Sequence, residues 1–128
     1  MSVKVSTGHE RAASDACESE RVSAAAIAEI RAALPERAAL ELAETFRLLT
    51  DPGRVRLIAA LLAADELCVC DLAEITGLSQ TACSHNLRLL RARRLVRYRK
   101  QGRNVYYTLD DDHIRLLLDV ALQHVTHG

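Results

Sequence analysis

The stretch CVCDLAEITGLSQTACSHNLRLLRARRL constrains the fold more than any other part of the chain. Two helical patterns meet there at Gly77, and glycine turns a helix end cheaply because it has no Cβ to clash in a left-handed conformation. Ser79 then stands where a helix N-cap belongs, its short side chain suited to accept a free amide of the next first turn. In that second helix Cys83, Leu87 and Leu90 fall at i, i+4 and i+7, which makes one face apolar and directs it to a core. Gln80, Thr81, Ser84, His85 and Arg88 point elsewhere and stay available to a partner. A short helix, a tight turn and a longer helix with a polar outer face predict a helix-turn-helix.

The flanking segments predict what this unit packs against. LVRYRK and VYYTL surround Gln101-Gly102-Arg103-Asn104, two runs rich in Val and Tyr about a glycine turn, the pattern of a hairpin. Upstream, VSAAAIAEIRAAL predicts a helix with Ile27, Ile30 and Leu34 in helical spacing, ended by Pro35. PERAALELAETFRLL predicts a second helix with Leu42, Phe46 and Leu49 on one face, stopped by an Asp51-Pro52-Gly53 turn. Val55 to Ala64 predicts a third, apolar on most sides and therefore central. A last helix runs through DDDHIRLLLDVALQHVTHG, acidic at its start and bearing histidines near its end, as the helix dipole favours. Leu116, Leu117, Val120 and Leu122 make it apolar enough to pack.

Residues 1 to about 21 are polar and lack an apolar stripe, which predicts a flexible arm. The remaining residues, 22–128, predict one domain, because a chain of 128 residues that is 49% hydrophobic supports one modest core. Aromatics make up only 3% and Trp is absent, so the expected fold class is mainly α with a small β-hairpin wing, a winged helix-turn-helix.

Seventeen Lys and Arg balance seventeen Asp and Glu, yet the charges are segregated. No acidic residue occurs between Glu74 and Asp110, while Arg88, Arg91, Arg93, Arg94, Arg97, Arg99, Lys100 and Arg103 all lie there. A basic face on a neutral chain is the electrostatic footprint of a nucleic-acid binder. Gln80, Thr81, Ser84, His85 and Arg88 are the candidate base readers, since amides match adenine edges, arginine matches guanine and hydroxyls serve bases or phosphates. Arg99, Lys100 and Arg103 on the hairpin are candidate phosphate contacts, giving affinity that falls with salt.

The last helix carries Asp111, His113, His124 and His127, all able to ligate a metal. His124 and His127 share a face. His113 and His124 also face one way but are separated by close to three turns, roughly 16 Å along one helix. An antiparallel second copy removes the obstacle. In a two-fold pair, Asp111 meets His127 and His113 meets His124 about nearly the same crossing point, close to Asp119. Two symmetric tetrahedral sites across a dimer of terminal helices follow, each with Asp and His from one copy and two His from the other. The plainer alternative is that Asp111 caps the helix and the histidines are solvated charges at its end.

Cys17, Cys68, Cys70 and Cys83 have no secretory context, so free thiols or metal ligands are expected rather than disulfides. Cys68-Val69-Cys70 suits soft or borderline cations such as Cd(II), Pb(II), Zn(II) or Cu(I). Cys17 on the arm, with His9 and Asp15, is the candidate to complete that site. Cys83, on the apolar face of its helix, is expected in the core.

No apolar run approaches the roughly 20 residues of a membrane span, and the N-terminus lacks a signal-peptide pattern, so a cytoplasmic protein is expected. An enzyme is disfavoured: catalytic zinc keeps an open coordination position, and redox Cys-x-x-Cys near a βαβ unit is absent.

Over nearly its whole length the chain resembles the ArsR/SmtB family of metal-sensing winged-helix repressors. The resemblance is carried by ELCVCDLAEITGLSQTACSHNLRLLRARRLVRYRKQGRNVYYTL and by DDDHIRLLLDVALQHVTH. It implies a homodimer whose apo form holds operator DNA and whose metal-bound form lets go, derepressing an efflux or sequestration gene. It further implies a zinc site at Asp111, His113, His124 and His127, and a thiolate site at Cys68 and Cys70 joined by arm cysteines of the other subunit. Here the arm offers only Cys17, so three sulfurs, or one replaced by His9 or a carboxylate, are implied in place of four. A repressor of the same fold that senses oxidants or persulfides through its thiols is the alternative.

Overall fold

The computed structural model describes residues 9–11 and 20–127, with the backbone alone for 9–11. Two compact units divide the chain, Met1–Ala43 and Glu44–Gly128. Their boundary runs inside the second helix, whereas the polarity of the sequence changes near residue 21.

In the first unit, β1 (His9–Arg11) and β2 (Glu20–Val22) pair antiparallel, with His9 opposite Val22. These three-residue strands lie where only an arm was expected, because segments so short show no alternation that sequence can reveal. Helix α1 (Ala24–Ala32) follows, its first turn closed by Ser23, whose hydroxyl accepts the Ala26 amide at 3.2 Å. Helix α2 (Glu36–Leu48) begins directly after Pro35 and continues into the second unit.

Helix α3 (Pro52–Ala63) starts earlier than its apolar pattern suggests. Asp51 is its N-cap, accepting the Arg54 amide at 3.0 Å, and Pro52 occupies the first helical position, where a missing N–H costs nothing. The Asp-Pro-Gly turn that ends α2 thus also starts α3. As expected, α3 is central, burying Leu57, Ile58, Ala60 and Leu61. Around it pack Leu72 of α4 (Val69–Thr76), Cys83, Leu87 and Leu90 of α5 (Gln80–Ala92), and Leu95, Val96 and Leu109. Each fully buried leucine contributes about 1.5–3 kcal/mol relative to exposure.

The α4–α5 turn is built as the sequence predicts. Gly77 is left-handed at φ 78°, and its N–H returns to the Ala73 carbonyl at 2.9 Å. Ser79 caps α5 by accepting the Ala82 amide at 3.0 Å. Thr76, buried inside the turn, donates to the Leu72 carbonyl at 2.6 Å and accepts the Leu78 amide at 3.3 Å.

Strands β4 (Val96–Gln101) and β5 (Asn104–Leu109) form the hairpin, in register from Val96 opposite Leu109 to Gln101 opposite Asn104. Gly102 takes φ 61° at the first of two central positions, the pattern of a type II′ turn that follows strand twist. A strand not expected from sequence, β3 (Leu67–Cys68), pairs with β5 on its other side, Cys68 opposite Tyr106. The chain ends in α6 (Asp112–His127), which buries only Leu118 among its described residues. No described helix is long and apolar enough to cross a membrane.

Candidate nucleic-acid interface and metal ligands

Gln80, Thr81, Ser84, His85 and Arg88 line one shallow surface depression of about 480 Å³ on α5. All five are exposed. The heptad-like spacing that buries Cys83, Leu87 and Leu90 forces this outcome, because a helix packed by one face must present the opposite one to solvent. The five candidate base readers therefore form one continuous polar surface.

The eight cations of the basic window divide into two groups. Four are engaged within the chain: the Arg91 guanidinium lies 4.6 Å from the Tyr98 ring centre, Arg93 reaches Glu44 at 3.6 Å, Arg97 donates to the Asp110 carbonyl at 2.7 Å, and Arg99 grips Glu66. Arg88, Arg94, Lys100 and Arg103 have no side-chain partner among the described residues. Arg94, which the sequence places in the basic window but not among the candidate DNA contacts, closes α5 in a left-handed conformation at φ 58°. The Arg94 and Leu95 amides return to Arg91 and Leu90 carbonyls at 3.0 and 2.9 Å, a Schellman ending in which arginine holds the position glycine usually takes.

Arg99 differs from its expected role as a free phosphate contact. Its Nε and Nη2 donate to both Glu66 carboxylate oxygens at 2.6 and 2.7 Å, and Nη1 donates to Gln101 at 2.7 Å. The guanidinium also lies 4.8 Å from the Tyr106 ring centre. The Arg99 hydrogen bonds hold the Glu66 carboxyl below its ordinary range and raise Arg99 in turn. Sequence spacing does not show this pair, since the partners are 33 residues apart.

On α6, Asp111 stands just before the first helical residue and caps it, Oδ1 accepting the Ile114 amide at 2.9 Å. The non-helical position also lets Asp111 Oδ1 come within 4.0 Å of His113 Nδ1. Two ligands about 2.0–2.1 Å from one tetrahedral zinc sit about 3.3 Å apart, so this separation is close to the one a shared ion requires. His124 and His127 are exposed in the last turn of the same helix. These donor types fit zinc in chemistry, and among the described residues of one chain no three metal-competent side chains gather. Arg115, one turn past Asp111, donates to the Leu61 and Leu62 carbonyls at 3.4 Å and lies 3.9 Å from Asp65. It ties the start of α6 to the end of α3, where a cation suits the helix dipole.

Cys68 is half-buried at the junction of β3 and α4, and Cys70 is exposed. Their thiols are free, and Cys70 Sγ receives the Gln80 side-chain amide at 3.6 Å. Cys83 is fully buried beside the Thr76 hydroxyl at 3.9 Å, a core residue as expected. Cys17 and Asp15 lie outside the described residues, as does the His9 side chain.

Residues 51–98 match the family described as "Bacterial regulatory protein, arsR family". The chain is 52% identical over 87 residues to a transcriptional repressor SmtB homolog of Synechocystis, a match covering 68% of this chain and 65% of that protein, so slightly under two thirds of the relative is spanned. It is 36% identical over 110 residues to a cadmium resistance transcriptional regulatory protein CadC homolog of Staphylococcus aureus, covering 86% of this chain and 91% of the relative. Among solved structures, a homodimeric winged helix-turn-helix DNA-binding domain from Mycobacterium bovis superimposes with a TM-score of 0.63 at 28% identity, covering 72% of this chain and 90% of that one.

Proposed function

Because the chain belongs to the arsR family of bacterial regulatory proteins, we propose that it is a metal-responsive transcriptional repressor whose apo-homodimer binds operator DNA in the cytoplasm. A divalent metal of the zinc, cadmium or lead type releases it and derepresses genes of metal efflux or sequestration. The family is one of transcriptional regulators, and no catalytic role is assigned.

One observation carries the DNA half of this reading: the single polar surface of Gln80, Thr81, Ser84, His85 and Arg88, beside a hairpin bearing Lys100 and Arg103, which are unpaired among the described residues. Gln80 and Arg88 offer the amide and guanidinium that read adenine and guanine edges. Lys100 and Arg103, joined by Arg94, neutralise phosphates and fix the register. Residues 22–128 act as the DNA-binding and dimerising domain, with residues 1–21 as an arm.

The homodimer is supported by exposed apolar residues on one face of α6, where Leu116 and Val120, one turn apart, are 64% and 55% exposed in one chain. An antiparallel second α6 covers them and completes two metal sites, each with Asp111 and His113 of one copy and His124 and His127 of the other. Bound there, zinc supplies a fixed bridge between the two helices. Asp111 and Arg115 lie one turn apart, so a change at the bridge reaches α3 and the core beneath α5. By linkage, metal weakens DNA binding by as much as DNA weakens metal binding, commonly by about 1–3 kcal/mol. Cys68 and Cys70 offer a second, softer site for cadmium, lead or copper(I).

The deciding experiment is fluorescence anisotropy with a duplex enriched from a random library by the wild type, at fixed salt, with zinc, cadmium or a chelator. Wild type, His124→Ala and the Cys68→Ser/Cys70→Ser double variant are compared. Loss of the metal response in one variant alone identifies the regulatory site. A wild type that ignores metal but releases DNA on mild oxidation makes the protein a thiol-sensing repressor instead.

A further inference from the structure

We propose that Glu66 is a built-in rival of the DNA backbone for Arg99, so that this carboxylate limits sequence-independent DNA binding and sharpens discrimination in favour of the operator. The inference rests on the DNA-binding role proposed above.

Arg99 is the only one of the three hairpin cations Arg99, Lys100 and Arg103 with an ionic partner among the described residues. The pairing is fork to fork, with two parallel N–H···O contacts of 2.6 and 2.7 Å. A phosphate presents two oxygens to a guanidinium in the same manner as a carboxylate. Nη1 also donates to Gln101 at 2.7 Å, so three of the five N–H groups of Arg99 are engaged within the chain. Glu66 therefore occupies the Nε/Nη2 edge of Arg99, and a phosphate that grips this edge must displace it.

Both partners are open to exchange. Their side chains are 50% and 34% exposed, and an ion pair that water reaches is weak enough for a polyanion to compete. Tyr106 beneath the guanidinium and Gln101 beside it hold the fork in shape whichever acid it faces. Arg99 and Arg103 sit on the hairpin close to its turn, within the element that would meet the backbone.

The consequence is selective. On random DNA the hairpin offers two unpaired cations, and recruiting a third requires expelling Glu66. On a cognate site the base contacts of α5 hold the hairpin against the backbone long enough for the exchange. Removing the carboxylate charge gives random DNA the third cation without that requirement.

The test uses the full chain with chelator and reductant, titrated into a random-sequence duplex and into the library-enriched duplex over a salt series. Glu66→Gln is expected to bind the random duplex about 3–10-fold more tightly near 0.1 M salt, with the slope of log K against log salt steeper by about 0.9, the value of one added phosphate contact. The gain for the enriched duplex is smaller, so discrimination falls. The gain vanishes in Glu66→Gln/Arg99→Gln. In the wild-type background Arg99→Gln lowers random-duplex affinity less than Lys100→Gln, a comparison that does not depend on how Glu66→Gln folds.

Unchanged or weaker random-duplex binding by a folded Glu66→Gln would overturn the proposal and leave the pair as a brace between the hairpin and the residue before β3. An Arg99→Gln loss as large as that of Lys100→Gln would overturn it too. A wild type that binds neither duplex removes the DNA-binding reading and this inference together, whereas binding without the Glu66 effect removes only the latter.

Discussion

The Cys70 thiol lies 3.6 Å from the side-chain amide nitrogen of Gln80, so the second residue of α4 touches the first residue of α5. Both side chains are exposed. The cysteine pair and the proposed base-reading surface thus share a boundary inside one chain, and a group attached to Cys70 must share space with Gln80.

Thiol labelling tests that boundary. Among the three described cysteines, N-ethylmaleimide is expected to label Cys70 first, half-buried Cys68 more slowly, and Cys83, at 0% exposure, only after unfolding, because reactivity follows access to the thiolate. Peptide mass spectrometry gives the order. Protein alkylated at Cys70 is expected to bind its enriched duplex more weakly than Cys70→Ser treated in the same way. Equal affinity before and after labelling would show that the contact has no part in reading DNA.

Two left-handed residues close the two helices of the helix-turn-helix, and they predict opposite substitution effects. A Cβ on Gly77 would meet nothing within 4 Å, so Gly77→Ala suffers only the conformational penalty of φ 78°, about 1–2 kcal/mol. Arg94 already bears that penalty at φ 58°. Arg94→Gly relieves it while increasing unfolded-state freedom, for a net gain of up to about 1 kcal/mol. Urea unfolding of both variants settles the signs, and a destabilised Arg94→Gly would mean that the arginine side chain contributes more than its backbone strain costs.

Much of this architecture was legible because period and punctuation agreed. Gly77, Ser79 and the Cys83, Leu87, Leu90 face defined the helix-turn-helix, and Gly102 between Val- and Tyr-rich runs defined the hairpin. Other features were hidden for identifiable reasons. Asp51-Pro52-Gly53 reads as a stop, yet Asp51 is the cap of the following helix, since the same residues suit a helix start and a turn. Strand β3 is two residues long, too short to alternate. The Glu66 to Arg99 pair arises only when β3 and β4 flank β5. The polar face of α5 followed directly from its buried face, while the candidate ligands of α6 are legible as residue types and, among the described residues, do not gather within one chain.

The unpartnered face of α6 predicts an oligomeric defect without a folding defect. Leu116 and Val120 are one turn apart and 64% and 55% exposed, so Leu116→Glu/Val120→Glu places charge where one chain has no core. Sedimentation equilibrium is expected to show a dimer for the wild type and a monomer for the double variant, with an unchanged far-ultraviolet dichroism spectrum. Zinc binding at the histidines is expected to weaken in parallel, since each proposed site draws donors from both copies. A double variant that remains dimeric would move the interface away from α6.

Asp111 combines two roles that substitution can separate. Its Oδ1 caps α6 through the Ile114 amide at 2.9 Å, and the same carboxylate is the proposed partner of His113 toward zinc. Asparagine caps as well as aspartate, whereas alanine forfeits about 0.5–2 kcal/mol. Asp111→Asn should therefore match the wild type in unfolding free energy to within a few tenths of a kcal/mol, and Asp111→Ala should not. Both remove the anionic ligand. Competition with a zinc chelator dye is expected to show affinity reduced by more than about tenfold in each, because even outer-shell partners of a metal site commonly account for about 10–100-fold. If Asp111→Asn keeps wild-type zinc affinity while Asp111→Ala loses only stability, Asp111 is a helix cap alone, and the α6 site must find its fourth ligand elsewhere.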